Sequence, residues 1–382
     1  MARGPDGTGV KAGFSLADHL FNERTIGQLG AEHAVLPRFD ADRFLTDALA
    51  GMADRTLLAR LDHLADCIAA QLPSSFPAMA EALEAAMPPP LDPARTDDDF
   101  GQFIHAVPAI LAMRHGLEDH RDRALDLIHA ATQRFSAEFP IRAFLNRWPD
   151  ETLARMARWA EDENYHVRRL VSEGTRPRLP WAQAITLDPL RPLPLLDILS
   201  ADKTRFVTRS VANHLNDLTK AHGGVVVDRL ARWAKAGRQS PKEHAWMTSH
   251  ALRGAVKRGD RQALDHLGYR AGAVSAELAI DTPTVPAGTA LAFSVSLTAP
   301  APLPVMVDYR IRFVGAGGKP REKVFKLGKG RARPDAPLRF DKAHRLKADA
   351  TTYRLFPGTH AVTVQVNGAD VAHAPFEVTM AG

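Results

Sequence analysis

The sequence predicts an α-helical repeat solenoid followed by a β-sandwich, and three observations carry that prediction. Up to about residue 270, apolar residues recur at intervals of three and four, as over residues 57–68 and 124–132, which is the period of an amphipathic helix. After residue 272 the interval becomes two, as in a half-buried strand. A pattern in the helical part also repeats at an offset of 40 residues. We therefore predict a multidomain chain, with helices first and strands second.

The repeat indicates how the helices are arranged. Four positions coincide when the sequence is shifted by 40 residues: Asp162 with Asp202, Val167 with Val207, Arg169 with Arg209, and Val171 with Val211. Repeats of about 40 residues built from helix pairs are typical of HEAT and armadillo units, which stack into a curved solenoid. We predict this solenoid over residues 14–271. Residues 1–13 are polar and are predicted to be a disordered leader.

The last third of the chain carries the strand pattern. Short alternating segments are separated by Pro and Gly turns: AELAIDTP, ALAFSVSLTAP, VMVDYRIRFVG, REKVFKLGKG, ATTYRLF and HAVTVQVNG. Six or seven such strands in about 110 residues predict a β-sandwich of immunoglobulin type over residues 272–382. Cys67 is the only cysteine, so neither an internal disulfide nor a cysteine zinc cluster is possible.

Composition excludes several classes of protein. Hydrophobic residues make up 45% of the chain and charged residues 24%, which is ordinary for globular proteins. No run approaches the roughly 18 apolar residues of a membrane span, and the first residues lack the apolar core of a secretory signal. We therefore expect a cytoplasmic protein that binds no membrane. The histidines are scattered and no HExxH motif occurs, so we predict neither a metal site nor a cofactor.

The excess positive charge lies entirely in the last third. Residues 272–382 hold 14 lysines and arginines against 9 aspartates and glutamates, while residues 1–271 hold 35 of each sign. Between residues 310 and 333, nine basic residues accompany a single acid, Glu322. A block of this kind suits a polyanion such as nucleic acid. The alternative is a solvated hairpin face that is basic by chance.

The repeat also brings acidic residues together. The 40-residue offset places Glu173 over Asn213, and Asp217 lies one helical turn beyond Asn213 on the same face. Glu173 and Asp217 are therefore predicted to project from neighbouring helices into one groove. A carboxylate at a helix C-terminus costs about 0.3–1 kcal/mol against the helix dipole, which favours a functional role. The alternative is a surface glutamate neutralised by Arg176 or Arg178.

Three segments of the helical part resemble the AlkC group of bacterial DNA alkylation repair proteins, relatives of AlkD that also use HEAT-like repeats. They are RFSAEFPIRAFL at residues 134–145, RWAEDENYHVRRLVSEGTRPRLPW at 158–181, and FVTRSVANHLNDLTK at 206–220. The segment VDYRIRFVGAGGKPREKVFKL resembles the immunoglobulin-like domain that one AlkC subgroup carries after its solenoid. The resemblance extends from about residue 15 to 380 and is densest over residues 130–235.

The resemblance implies a monofunctional DNA glycosylase of base excision repair. The expected substrate is double-stranded DNA with cationic N-alkyl bases, foremost N3-methyladenine and next N3-methylcytosine, bound by a monomeric bacterial protein that associates with the nucleoid. By the same resemblance Glu138, Glu173 and Asp217 are catalytic carboxylates, and Trp181 stacks against the cationic base. Such a base leaves without a general acid, so the carboxylates would stabilise oxocarbenium charge on the sugar. One of them could also orient the attacking water.

Basic residues near these acids are candidates for DNA contacts. Arg176 and Arg178 lie in the loop after Glu173 and are suited to positioning phosphates. For Arg169 and Arg209, a structural salt bridge to Asp162 or Asp202 is an alternative. In the sandwich, the predicted DNA-binding residues belong to one hairpin: Arg312, Lys319, Arg321 and Lys323.

Each site residue also has a structural alternative. Trp181 follows a proline and could anchor a core, Glu138 could be a structural acid before Pro140, and Asp217 could pair with Lys220 on a solvated turn. For the whole chain, the alternative function is a non-catalytic DNA-binding or scaffold protein. A peptide-binding solenoid is disfavoured by the basic hairpin.

Overall fold

The computed structural model describes residues 15–95, 97, 99–180, 182–315, 317, 319–347 and 354–380. The chain divides into two compact units: Met1–Leu218 with Trp233–Met247, and Thr219–Arg232 with Thr248–Gly382. The predicted leader, residues 1–13, lies outside the described residues. A domain boundary between residues 271 and 272 stays a prediction.

Fourteen α-helices occur within the described residues, all before the first strand. They are α1 (Leu16–Leu20), α2 (Glu23–His33), α3 (Ala41–Ala50), α4 (Leu57–Ala69), α5 (Phe76–Ala86), α6 (Val107–Gly116), α7 (Arg121–Thr132), α8 (Pro140–Arg147), α9 (Pro149–Trp159), α10 (Tyr165–Gly174), α11 (Leu193–Leu199), α12 (Arg205–Ala236), α13 (Pro241–Lys257) and α14 (Arg261–His266). None of the helices in the described ranges is both long enough and apolar enough to cross a bilayer.

The helical periodicity read from the sequence corresponds to buried faces. In α4, Leu61, Leu64 and Ile68 are almost completely buried, and α7 buries Leu125 and Ile128 in the same way. Burial of each such side chain stabilises the fold by about 1.5–3 kcal/mol. The predicted order of a helical part followed by a β part is confirmed.

The 40-residue repeat has a structural cause at the entrance to two helices. α10 begins at Tyr165 and α12 at Arg205. Asp162 Oδ1 accepts a hydrogen bond from the backbone N–H of Asn164, and Asp202 Oδ1 accepts one from Thr204, both at 2.8 Å. Each aspartate therefore closes the turn that starts the second helix of a pair.

Eight strands form two sheets in the described part of the C-terminal region. They are β1 (Ser275–Ile280), β2 (Thr284–Pro286), β3 (Ala290–Thr298), β4 (Leu303–Phe313), β5 (Arg321–Ala332), β6 (Leu338–Arg345), β7 (Gly358–Val366) and β8 (Ala369–Thr379). One sheet has the order β1-β3-β6 and the other β2-β8-β7-β4-β5. Only the short β2–β8 pair is parallel. Inward side chains of both sheets, such as Phe293 and Ile311, share one hydrophobic core.

The strand predictions need two corrections. The segment ATTYRLF at residues 350–356 was predicted as a strand; residues 350–353 lie outside the described residues, and residues 354–356 form no strand. β2, which is only three residues long, β6 and β8 were not predicted. β6 alternates exposed residues with half-buried ones that include Lys342 and His344, and β8 contains Pro375, so neither carries a strong apolar pattern. Their pairing with β3 and β7 supplies the stabilisation that their own sequences do not indicate.

Candidate active site

Three separate elements supply the acidic residues of the site. Glu138 lies in the turn that precedes α8, Glu173 is the penultimate residue of α10, and Asp217 lies in the first half of α12. α10 ends where Gly174 packs so closely on Ile141 that a Cβ would lie 2.6 Å from its Cγ2. Residue 174 is therefore confined to glycine, and this close approach holds the end of α10 against α8.

Two arginines link the three carboxylates into one chain of ion pairs. Arg169 Nη1 lies 3.1 Å from Glu138 Oε2, and Arg169 Nη2 lies 3.7 Å from Glu173 Oε2. Arg176 Nη1 lies 2.5 Å from Glu173 Oε1, and Arg176 Nε lies 2.9 Å from Asp217 Oδ2. We call these five residues the acid–arginine network. When all five are ionised it carries one negative charge in excess.

Glu173 is the central member of the network. The residue is 5% exposed, and its Oε2 accepts a hydrogen bond of 2.6 Å from the hydroxyl of Ser210. Burial raises the pKa of Glu173, but the charges of Arg169 and Arg176 and the hydrogen bonds from Ser210 and Arg176 outweigh burial, so that its pKa is lowered overall. Glu173 is therefore a carboxylate at neutral pH.

A buried arginine fixes the loop that follows Glu173. The guanidinium of Arg142, 1% exposed, donates to the carbonyl oxygens of Gly174 at 3.1 Å, Arg176 at 2.8 Å and Gln183 at 2.6 Å. These bonds tie both ends of the loop to α8. Arg142 also lines a cavity of about 440 Å³ together with Arg176, Arg178 and Asp217. We call it the Asp217 cavity.

The basic residues of the sandwich lie on strands β4 and β5 and the turn between them, which we call the basic hairpin. The two strands pair antiparallel, with Arg312 opposite Glu322. Arg310 is bound by two acids, with Asp370 at 2.8 Å and Glu322 at 3.4 Å. The residues predicted to bind DNA are all exposed: Arg312, Lys319, Arg321 and Lys323.

Comparisons with known proteins match both parts of the chain. Residues 274–380 match the family described as "Uncharacterised protein YhaZ, C-terminal Ig-like domain". The chain is 30% identical over 371 residues to the uncharacterized protein YhaZ of Bacillus subtilis (strain 168), which covers 94% of this chain and 98% of that protein. It is 34% identical to Pseudomonas fluorescens alkylpurine DNA glycosylase AlkC, in a structure bound to DNA containing an abasic site analog. That match has a TM-score of 0.83 and covers 96% of this chain and 100% of that one. The chain belongs to the AlkC family.

Within this AlkC-family chain, the predicted site residues have different positions relative to the network. Glu138, Glu173 and Asp217 all belong to it. Asp217 lies within α12 with its side chain 13% exposed and pairs with Arg176, not on a solvated turn. Trp181 lies outside the described residues.

The two arginines predicted to contact DNA differ sharply. Arg176 is bound by Glu173 and Asp217, so the alternative in which Arg176 pairs with Glu173 describes the observed geometry. Arg178 lines the Asp217 cavity and is exposed. Of the two, Arg178 is the better placed to contact a phosphate, and this role stays a prediction.

The structural salt bridge suggested for Arg169 is wrong. Asp202 is bound by Arg168, with Nε–Oδ2 at 2.5 Å, while Arg169 turns toward Glu138 and Glu173. Adjacent helical residues point about 100° apart. Arg168 therefore pairs with the aspartate of the turn before α12, and Arg169 pairs with the carboxylates of the site. No sequence pattern indicates the roles of Ser210 and Arg142, because these depend on partners 37 and 32–41 residues away.

Proposed function

We propose that this chain is a monofunctional DNA glycosylase that hydrolyses the N-glycosidic bond of cationic N-alkylated bases in double-stranded DNA. N3-methyladenine is the first expected substrate and N3-methylcytosine the second. The observation that carries the proposal is the convergence of three carboxylates from three elements in one ion-pair network, of which Asp217 lines a cavity. The likeness to the alkylpurine DNA glycosylase AlkC of Pseudomonas fluorescens supports the same activity.

The chemistry needs negative charge in a fixed position. An N3-alkylated base is already cationic, so it leaves without a proton from the protein. As it leaves, positive charge develops on the deoxyribose, and preorganised carboxylates stabilise that charge most effectively where water is scarce. The network's excess negative charge and its low exposure meet both conditions.

Within the network the residues have separate tasks in this proposal. Asp217 lines the cavity and orients the attacking water or faces the sugar. Glu173 supplies buried negative charge that stays ionised because its pKa is lowered. Arg176 is a positioning residue that holds both carboxylates. Trp181 stacks against the cationic base.

Binding requires positive charge that the network does not offer. Arg178 and the exposed basic hairpin provide it, since phosphate contacts from lysine and arginine supply most of the sequence-independent affinity for DNA. We propose that a monomer binds the duplex through these groups. No metal or cofactor enters the proposed reaction.

One observation favours a second function. Both guanidinium groups of the network are saturated by carboxylates, as they would be in a structural cluster of a non-catalytic DNA-binding protein. The test is a single-turnover incubation with methylated duplex, with released bases scored by chromatography. Release of N3-methyladenine supports the glycosylase. DNA binding without release of any alkylated base would overturn it in favour of the binder.

A further inference from the structure

A second cavity lies in the helical unit, at the Glu138 end of the network. Its volume is about 260 Å³. It is lined by Leu16, Leu57, Leu58, Phe100, Phe103, Phe135, Ser136, Glu138, Phe139, His166, Arg169 and Phe206. We call it the aromatic cavity. Five of its twelve lining residues are phenylalanines, whereas the Asp217 cavity has none.

The side chains that line the aromatic cavity are suited to binding a planar ring. Phe100 meets Phe206 edge-to-face with centroids 5.2 Å apart, and Phe103 meets Phe135 at 4.7 Å. The guanidinium of Arg169 covers the Phe206 ring at 4.6 Å. Phe100 is 52% exposed, and Leu16 and Leu58 on the same cavity are each 37% exposed; an exposed apolar patch of this kind marks a binding site. Aromatic faces and edges of this kind stack on nucleobases at about 1–3 kcal/mol per base.

One buried nitrogen and one carboxylate oxygen of the cavity make no hydrogen bond among the described residues. His166 is 5% exposed, and its Nε2 makes no hydrogen bond among the described residues. Burial lowers the pKa of His166 to about 4, so the ring is neutral at pH 7. Glu138 accepts bonds from Ser136 and Arg169 through Oε2, and within the described chain Oε1 accepts none. For the buried Nε2 of His166, the missing partner costs free energy that a ligand can recover.

We propose that the aromatic cavity binds a planar nitrogen heterocycle, a nucleobase without its sugar and phosphate, whose exocyclic amino group donates to Glu138. The volume lies just below the range of about 300–1,000 Å³ typical of sites for drug-sized ligands. Arg169, the cation of the cavity, is already paired with Glu138 and Glu173, so a phosphate would find no free counter-charge there.

The occupant has two possible sources, and this step rests on the proposed function. It is either the base released by the enzyme or a base of the bound duplex that has left its stack. In both cases the carboxylate of Glu138 selects for an amino donor, as in adenine and cytosine. Hypoxanthine presents a carbonyl at the same place, and two acceptors facing each other repel.

The test measures binding of free adenine, cytosine and hypoxanthine to the DNA-free protein by calorimetry and ligand-observed NMR. Adenine and cytosine should bind at least about tenfold more tightly than hypoxanthine. Leu58→Trp, at a wall position that is 37% exposed, should fill the cavity and abolish binding. Val35→Trp is the matched control, because Val35 is exposed and lies outside the cavity. Phe100→Ser, which removes one stacking ring, should weaken binding about tenfold.

The outcomes separate this inference from the proposed function. Single-turnover excision is measured on the same preparations, and thermal unfolding checks that each variant folds. If no free base binds, or if binding survives in Leu58→Trp, this inference is wrong. The proposed function still stands if the same preparations excise alkylated bases. If adenine binds but nothing is excised, the reverse holds. Displacement of bound adenine by undamaged duplex identifies the duplex as the source; retention of adenine beside an abasic duplex identifies the released base.

Discussion

The acid–arginine network and the basic hairpin are the two charged regions of this chain, and they are built in opposite ways. In the network each guanidinium lies between two carboxylates, and the side chains are between 6% and 18% exposed. In the basic hairpin, exposed cations outnumber the acids, and Arg310 pairs with Glu322 of β5 and with Asp370 of β8.

The difference determines how each region can work. A buried charge acts strongly because little solvent screens it, so its effect depends on its position within a few tenths of an ångström. Exposed charges are screened within about 8–10 Å at physiological salt, so their effect depends on their number. The network should therefore be sensitive to a single substitution and the hairpin to salt.

The largest expected effect comes from a change inside the network. Glu173→Gln keeps the shape but removes the charge, and we expect excision of N3-methyladenine to slow by about two to three orders of magnitude. The fold should persist, because Arg169 retains its ion pair with Glu138 and Arg176 retains its ion pair with Asp217. The measurement is a single-turnover rate together with thermal unfolding.

Glu161→Gln provides the control for this prediction. Glu161 is an exposed carboxylate in the turn after α9, and its neutralisation should leave the rate unchanged. An unchanged rate in Glu173→Gln would remove Glu173 from the mechanism. A slowed rate accompanied by loss of the folded state would instead assign Glu173 a structural role.

The next largest expected effect is a loss of folding stability at acidic pH, caused by a buried histidine beside the network. Burial lowers the pKa of His214 to about 4 from an ordinary 6.5. As the pH falls below 6.5 the unfolded chain takes up this proton while the folded chain does not, so stability is lost between pH 6.5 and about 4, on the order of 3 kcal/mol in full. Glu173, whose pKa is lowered in the folded state, adds to this loss only as the pH approaches and falls below the ordinary glutamate value, because the unfolded chain then takes up a proton that the folded chain does not.

Urea denaturation between pH 7.5 and 4.5 checks this prediction. His214→Gln should make the dependence of unfolding free energy on pH less steep by the share of one histidine, because His166 and His344, whose pKa values burial also lowers to about 4, keep their shares. His19→Gln, at an exposed position in α1, should not. A pH dependence as steep in His214→Gln as in the parent protein would mean that other groups titrate on unfolding.

Reversal of charge in the basic hairpin should have a smaller effect, and that effect should fall on the affinity for DNA. Changing Lys319, Arg321 and Lys323 to Glu should weaken binding to undamaged duplex about tenfold or more, and each lost phosphate contact should lower the salt slope by about one. The excision rate at saturating protein should change less. The measurement is Kd against salt concentration.

The control for the hairpin makes the same change in net charge elsewhere in the sandwich. Arg339, Arg345 and Lys347 are exposed on or just after β6, and their reversal should leave most of the affinity intact. Equal weakening by both triple variants would show that overall charge matters and that the hairpin is not a specific DNA contact.

The smallest expected effect tests a cation beside the network. Arg178→Ala should weaken duplex binding a few-fold and lower the salt slope by about one, whereas Arg178→Lys should retain both. Arg178 is exposed on the Asp217 cavity, so its loss should not change stability. An unaltered salt slope in Arg178→Ala would exclude a phosphate contact.

Local patterns made the fold predictable, and one long-range pattern made part of the site predictable. Apolar residues recur every three to four positions in α4 and every two in β3 because each element buries one face against a core. The 40-residue offset placed Glu173 and Asp217 on neighbouring helices, and Arg176 now connects them. Their roles in catalysis stay a prediction.

The rest of the site depends on geometry that no short pattern encodes. Arg168 and Arg169 are adjacent and chemically identical, yet one binds Asp202 and the other Glu138. Which partner each reaches depends on how α10 is rotated about its axis, and tertiary packing decides that rotation. The aromatic cavity likewise gathers side chains from segments more than 100 residues apart, from Leu57 to Phe206.

The double pairing of each guanidinium also has an evolutionary consequence. A mutation that replaces Glu173 leaves no arginine without a carboxylate, so a descendant can lose that acid and still inherit a folded protein. Natural selection on repair, and not on folding, then decides whether the acid is kept. A lineage released from that selection can drift to a stable binding protein in one step, and a single reversion restores the ancestral charge.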